Sequence, residues 1–418
     1  MNITRHKTFS LLFFFTLFTL SASAQRDSLD IKIGQMILIG FPGTTADAKV
    51  LEEVRAGKVG AIIVFEKNIP PTNSFIALKK IIWSYQQASP IPLFIGIDQE
   101  GGRVNRLKSK YGFPNSITAA AMADAHSLDS VRLYAEAMAS TLAGLGININ
   151  FAPVVDLAIN PTNPIIARYG RAFSAEADTV TRYARVFIQQ HHKYNVLTAL
   201  KHFPGHGSSK DDTHLGIADV TNTWSDKELT PYRSLIDSGY VDAVMTSHIV
   251  NKNLDKNGNP GTLSTDILTG ILRKRLGFNG VVFSDDMQMQ AIAKHYGLEE
   301  AIKLAILAGV DIMTFSNNIS GSEERTVDRV HQVIKSLVAQ NKIPTARIDE
   351  SYRRIINLKK RLTVSADELH RQELITFKAE AQAREQKLTA ENAVLAQQVK
   401  TLEEAQATGS RKKKKGKK

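Results

Sequence analysis

The segment KHFPGHGSSKDDTH, residues 201–214, gathers three histidines, two aspartates and two lysines within fourteen positions, interrupted by Pro204, Gly205 and Gly207. Three uses suit such a set. The first is metal binding, since His202 and His206 stand four apart. That spacing ligates zinc when both residues share a helix face, and Pro204 and Gly205 between them forbid the helix. No cysteine is present to add a soft ligand, so no metal is expected. The second is a loop whose histidines only satisfy backbone groups, which explains any one of them better than it explains the group. The third is acid–base catalysis. Asp212 and His214 are separated by one residue, so in an extended segment both side chains point the same way. A carboxylate beside an imidazole orients its tautomer and stabilises its protonated form. An imidazole with a pKa of about 6.5 gives and takes a proton near neutrality.

A proton shuttle of this kind needs a nucleophile, and VVFSDDMQM (281–289) offers Asp285 and Asp286 at the end of an apolar run. Alternation along a strand keeps the two from facing the same side. One is then the nucleophile, and the other pairs locally or caps the helix that follows.

Positioning these groups falls to a series of short apolar runs. They are MILIGF from 36, AIIVF from 61, PLFIGID from 92, ININFAPVVD from 147, VLTALKH from 196, DAVMTSHI from 242, GVVFSDD from 280 and GVDIMTF from 309. Each is nearly continuous in Val, Ile, Leu and Phe, the pattern of parallel strands covered on both faces. Amphipathic stretches separate them: DAKVLEEVRAGK, TNSFIALKKIIWSYQQA, ADTVTRYARVFIQQHHKYN, STDILTGILRKRLG and LEEAIKLAILAG. Eight strand–helix repeats predict an α/β fold, a (β/α)8 TIM-type barrel, in preference to an open doubly wound sheet. Functional groups of such barrels lie at the C-terminal ends of the strands. Asp98, Asp156, Lys201, His202, His248 and Asp285 all fall there, and buried charges need partners or a purpose.

The ends of the chain read differently. Residues 1–24 place Arg5, His6 and Lys7 before LLFFFTLFTL and finish on Ala22-Ser23-Ala24. This is the layout of a secretory signal peptide, too short to anchor as a membrane span. The expected location is therefore across the inner membrane, in the periplasm. The barrel is expected over 25–362. Residues 363–408 are rich in Ala, Glu and Gln, with Leu374, Ala381, Leu388, Leu395 and Leu402 in heptad register. A helical extension, either solitary or self-associating as a coiled coil, is expected there. Of the net charge of +12, the final RKKKKGKK carries seven and Arg5 and Lys7 two, leaving +3 for the rest. Basicity is thus a property of a tail, 409–418, expected to be disordered. Such a tail suits attachment to an anionic envelope polymer or membrane, and no nucleic-acid partner is expected.

With these residues assembled, the chain resembles glycoside hydrolase family 3, in its single-domain bacterial β-N-acetylglucosaminidase (β-N-acetylhexosaminidase) form. The resemblance runs from about 31 to 362 and is carried by GIDQEGGRVNRL (96–107), FAPVVDL (151–157), GRAFS (170–174), KHFPGHGSSKDDTH (201–214), MTSHI (245–249) and LGFNGVVFSDDMQM (276–289). It implies that Asp285 is the nucleophile and that Asp212 and His214 form the acid/base dyad on a mobile loop. It implies sugar contacts by Asp98, Arg171, Lys201 and His202, with His248 and Met289 lining the same pocket. Thr213 stands where serine is more usual in the Asp-x-His triplet. The implied substrate is an oligosaccharide bearing N-acetylglucosamine, with no cofactor.

Retaining hydrolysis in two steps follows from this pairing. An imidazole in place of the second carboxylate repels an incoming anion less, so phosphate stands beside water as an acceptor. Gly205 and Gly207 would serve as hinges of the loop. Two rival readings are a β-glucosidase-type hydrolase of the same family, which usually draws its acid/base from a further domain, and an inactive carbohydrate-binding envelope protein.

Overall fold

A computed structural model of the chain describes residues 29–124, 127–213, 216–318 and 327–362, and single helical residues at 385, 386, 388, 389 and 391. The chain divides into two compact units, Met1–Val364 and Ser365–Lys418. The leader, the basic tail and most of the heptad segment lie outside the described residues.

All eight apolar runs contain barrel strands. In chain order the strands are β1 (Ile37–Gly40), β2 (Ala61–Val64), β3 (Phe94–Ile97), β4 (Ile149–Asn150), β5 (Leu197–Phe203), β6 (Ala218–Asp219), β7 (Ala243–Thr246), β8 (Ile249–Val250), β9 (Val281–Asp286) and β10 (Ile312–Phe315). Eight of them close a parallel barrel in the order β1-β10-β9-β7-β5-β4-β3-β2. Closure is made by β1 against β10, with Leu38 opposite Thr314. β1, β2, β3 and β10 are buried along their whole length, as their unbroken apolar runs require. Inside the barrel Phe283 of β9 meets Phe94 of β3 and Phe151 after β4, ring centroids 6.0 and 5.2 Å apart. The interior is a packed core, as side-chain layers in such barrels require.

The helices fall where the amphipathic stretches predict them. Ala48–Arg55 opens on Asp47, whose carboxylate accepts from Val50 N, the usual work of an N-cap. Asp266–Arg275 departs from the expected geometry and is wound as a π-helix. β6 and β8, two residues each, form a separate parallel pair. No alternation is legible in strands so short. The peptides Ala152–Pro153, Lys201–His202 and Phe203–Pro204 are cis. Among the described residues no helix is long and apolar enough to cross a membrane.

The N-terminal face of the barrel is tied by buried polar groups. Asp311, just before β10, accepts from Arg273 (2.7 Å), Ser351 (2.7 Å), Arg347 and Arg354 (3.3 Å each) and from the Val282 amide (3.0 Å). Asp242, just before β7, binds His192, Thr198 and Arg361. Lys359 rises into the same end, donating to Gln35 (2.6 Å) and the Gly60 carbonyl (2.8 Å).

Candidate active site

At the opposite, C-terminal face, a connected charge network spans β3 to β5. Asp98 follows β3 directly and accepts from Lys201 Nζ at 2.8 Å and from Arg106 at 3.3 Å. Glu100 lies two residues on. It receives Arg171 in a two-pronged contact, Nε and Nη2 each at 2.7 Å, and Lys201 Nζ at 2.7 Å. Paired guanidinium–carboxylate bonds of this kind set orientation as well as charge. Arg171 Nη2 also meets His202 Nε2 at 3.2 Å, and His202 Nδ1 meets Asp156 at 2.7 Å. A guanidinium only donates, so His202 accepts at Nε2 and carries its proton on Nδ1, toward Asp156.

Asp156 is wholly buried. Burial by itself would raise its pKa, but the His202 imidazole and then His206 outweigh it and hold the carboxyl below its ordinary value. The same contest settles Glu100, where Arg171 and Lys201 overcome burial and hold it well below the carboxylate range. For Asp98 the opposing charges are Lys201 and Arg106. Arg171 is raised, because Glu100 outweighs the cost of burying it. Three anions and three cations therefore face one another with their directions fixed, a set of donors and acceptors already in place at the barrel mouth.

Four of these residues, Asp98, Asp156, Lys201 and His202, follow from strand ends, and Arg171 is implied by the resemblance. Glu100 is the member that sequence reasoning missed as a site residue. Its signal is present in DQEGG, since a second carboxylate two positions after Asp98 falls on the same side of an extended segment.

A second cluster closes β9. The Asp285 amide donates to Thr246 Oγ1 at 3.3 Å, and Asp285 Oδ1 accepts from the Asp286 amide at 2.8 Å. Thr246 meets Thr262 (2.7 Å), Thr262 meets His248 Nδ1 (2.8 Å), and His248 Nε2 donates to the Asp286 carbonyl (2.9 Å). The chain of bonds begins and ends on the backbone of the two aspartates. Asp286 turns to its own surroundings, accepting from the Gln288 and Ser316 amides and meeting the Ser316 hydroxyl. Burial raises its pKa to about 6 against those hydrogen bonds.

Two further expected pocket residues are deeply buried. His248 is fully buried, and both of its ring nitrogens serve protein groups. It supports the end of β9 through the Asp286 carbonyl. Met289 is 2% exposed, ahead of the short helix Gln290–Ala293.

The histidine-rich segment is anchored at its root. The His206 amide donates to Asp156 (2.8 Å) and the Gly207 amide to Glu228 (2.8 Å). Asn163 donates to the carbonyls of His206 and Gly207, Asn160 to that of Ser209, and Trp224 to that of Pro204. Gly205 and Gly207, expected as hinges, both lie in close contact within this anchored root. Gly205 has φ +117°, and a Cβ there would lie 2.6 Å from Glu228 Cβ; one on Gly207 would lie 1.8 Å from the Leu157 carbonyl oxygen. Both positions are glycine because neighbours come too close for any side chain. Asp212 lies beyond this anchored stretch and is half-buried, while His214 lies outside the described residues. Among the described residues no group of three or more His, Cys, Asp or Glu is placed to hold a metal ion.

A closed α/β barrel whose charged and carboxylate groups line the C-terminal ends of its strands has the layout of a barrel enzyme. Residues 28–358 match the glycosyl hydrolase family 3 N-terminal domain, and the chain belongs to that family of glycoside hydrolases. A β-hexosaminidase of Tolumonas auensis is 34% identical over 289 residues, covering 68% of this chain and 84% of that protein. The family 3 β-N-acetylglucosaminidase of Paenibacillus sp. FPU-7 superposes with a TM-score of 0.74 at 33% identity, covering 81% of this chain and 63% of that one. The β-N-acetylhexosaminidase of Beutenbergia cavernae has a TM-score of 0.72 at 28% identity, covering 79% of this chain and 98% of that one.

Proposed function

We propose that this chain is a retaining β-N-acetylhexosaminidase that releases terminal β-N-acetylglucosamine from peptidoglycan fragments or related oligosaccharides. The observation that carries the reading is the network of Asp98, Glu100, Arg171, Lys201 and His202 at the barrel mouth, in a family 3 chain. The names of its relatives supply the sugar.

In the first step the Asp285 carboxylate attacks C1, and the bond from C1 to the leaving oxygen breaks as His214 hands that oxygen a proton. Asp212 stabilises the imidazolium beforehand. In the second step the neutral imidazole takes a proton from water, whose oxygen bonds to C1 and frees the carboxylate. Two inversions at C1 retain the β configuration. The amide of Asp286 on Asp285 Oδ1 holds that carboxylate's orientation, which supports its assignment as nucleophile. The leader pattern of residues 1–24 supports a periplasmic location in this reading, and the basic tail suits adhesion to an anionic polymer there.

The test is an aryl β-N-acetylglucosaminide assay. Wild type is expected to turn over, and Asp285→Ala to lose at least about a thousandfold in kcat. Trapping with a 5-fluoro N-acetylglucosaminyl donor should place the adduct on Asp285 by mass spectrometry. Equal activity in the two proteins, or an α product, overturns the proposal. Adding phosphate separates the acceptors: free sugar alone means hydrolysis, and the 1-phosphate means phosphorolysis.

A further inference from the structure

Outside the site just described, Glu228 is a fully buried acid with no assigned work. Glu228 belongs to the short 3-10 turn Asp226–Leu229, between β6 and the helix Thr230–Asp237, and none of its surface reaches solvent. A carboxyl at such depth is costly to keep. Its Oε2 accepts from the Gly207 amide at 2.8 Å, and Ser208 lies within reach of the same carboxylate. Burial, with the nearby Asp156 charge adding to it, pushes the group up to about 7.

The placement explains the cost. Successive amides of the loop after β5 end on different carboxylates, His206 on Asp156 and Gly207 on Glu228. Asp156 also holds His202 and so belongs to the charge network. Glu228 comes from the other side, so the loop root is gripped between the network and the turn after β6. Gly205 packs so closely on Glu228 that no other residue fits. Five residues after this grip the chain reaches Asp212.

We propose that Glu228 is the positioning residue for the proton-transfer arm, setting the direction in which the chain leaves the root toward Asp212. This rests on the reading of Asp212 and His214 as the acid/base dyad. Glu228 touches no reacting atom, and its effect reaches the leaving group only through the arm.

The experiment measures kcat/KM for aryl β-N-acetylglucosaminides with leaving groups from 2,4-dinitrophenol to phenol. A good leaving group departs without a proton, whereas a poor one depends on the acid. Replacing Glu228 by Ala is expected to cost about 10- to 100-fold on the phenyl substrate and less than about threefold on the dinitrophenyl one. Glu228→Asp, one methylene short of Gly207, guards against an unfolded Ala variant and should show the same steepening. Glu228→Gln keeps an oxygen for the Gly207 amide and should restore a slope near wild type. His214→Ala is run alongside. If it steepens the slope and the Glu228 variants do not, or lose activity uniformly across leaving groups, the positioning role is overturned while the dyad stands. If His214→Ala leaves the slope unchanged, the dyad itself is wrong and the positioning role falls with it.

Discussion

Glu228 also makes a prediction that is independent of turnover. Its folded value of about 7 lies above its ordinary 4.5. Between those two values the folded protein therefore binds more protons than the unfolded chain, and stability falls as pH rises through that window. Above it the full penalty applies, up to ~3 kcal/mol. Glu228→Gln has no such charge to bury. Urea melts should find this variant more stable than wild type at pH 8, with the pH-dependent part of the difference gone by about pH 4. A difference that does not change with pH would show that the carboxyl is not held in the raised state. Residues of this kind are hard to read from a sequence, because nothing in DKELTPY distinguishes a buried glutamate from a solvated one. Asp98, Lys201 and His202 were legible because each ends an apolar run.

Among the elements, the two ends of the barrel divide the labour. The C-terminal ends carry the charge network and the aspartates of β9, while the N-terminal ends carry Asp311 and Asp242. Asp311 joins three elements, with Arg273 from the π-helix, the Val282 amide from β9, and Ser351, Arg347 and Arg354 from the helix Thr345–Arg361. Burial lowers the Arg273 guanidinium to about 10 against the pull of Asp311. Removing the shared carboxylate leaves the largely buried Arg273 without its anion and Arg347 and Arg354 with Glu350 alone. Asp311→Ala is expected to cost about 3–5 kcal/mol in denaturant melts. Turnover per folded molecule should stay unchanged, since the site lies at the other face. A loss of turnover without a loss of stability would contradict this division. Element types were legible from apolar runs and amphipathic stretches. The pair β6–β8 was not, because two residues carry no period, and the π winding of 266–275 was not, because its apolar spacing suits an α-helix as well.

In the molecule as a whole, catalysis and basicity are predicted to be separable. The barrel closes within Ile37–Phe315 and is completed by the helix Thr345–Arg361, whereas seven positive charges sit in the last eight residues. A chain ending at Leu362 is expected to keep the kcat/KM of the full chain. It should also lose any salt-sensitive adsorption to vesicles of anionic lipid. Adsorption that survives the truncation would move the basic surface onto the barrel.

Composition and pattern alone determined that eight apolar runs form one parallel barrel, because strands covered on both faces must be apolar throughout and their number sets closure. They also placed most of the network, because polar residues that end such runs have only the mouth to face. Tertiary structure decided what each polar side chain is bonded to. It drew Glu100 into the network and set His248 beneath β9, and it made Gly205 and Gly207 points of contact where freedom had been expected. These outcomes depend on distances between segments far apart in the chain, such as Gly207 and Glu228 or Asp98 and Lys201, and local spacing carries no record of them.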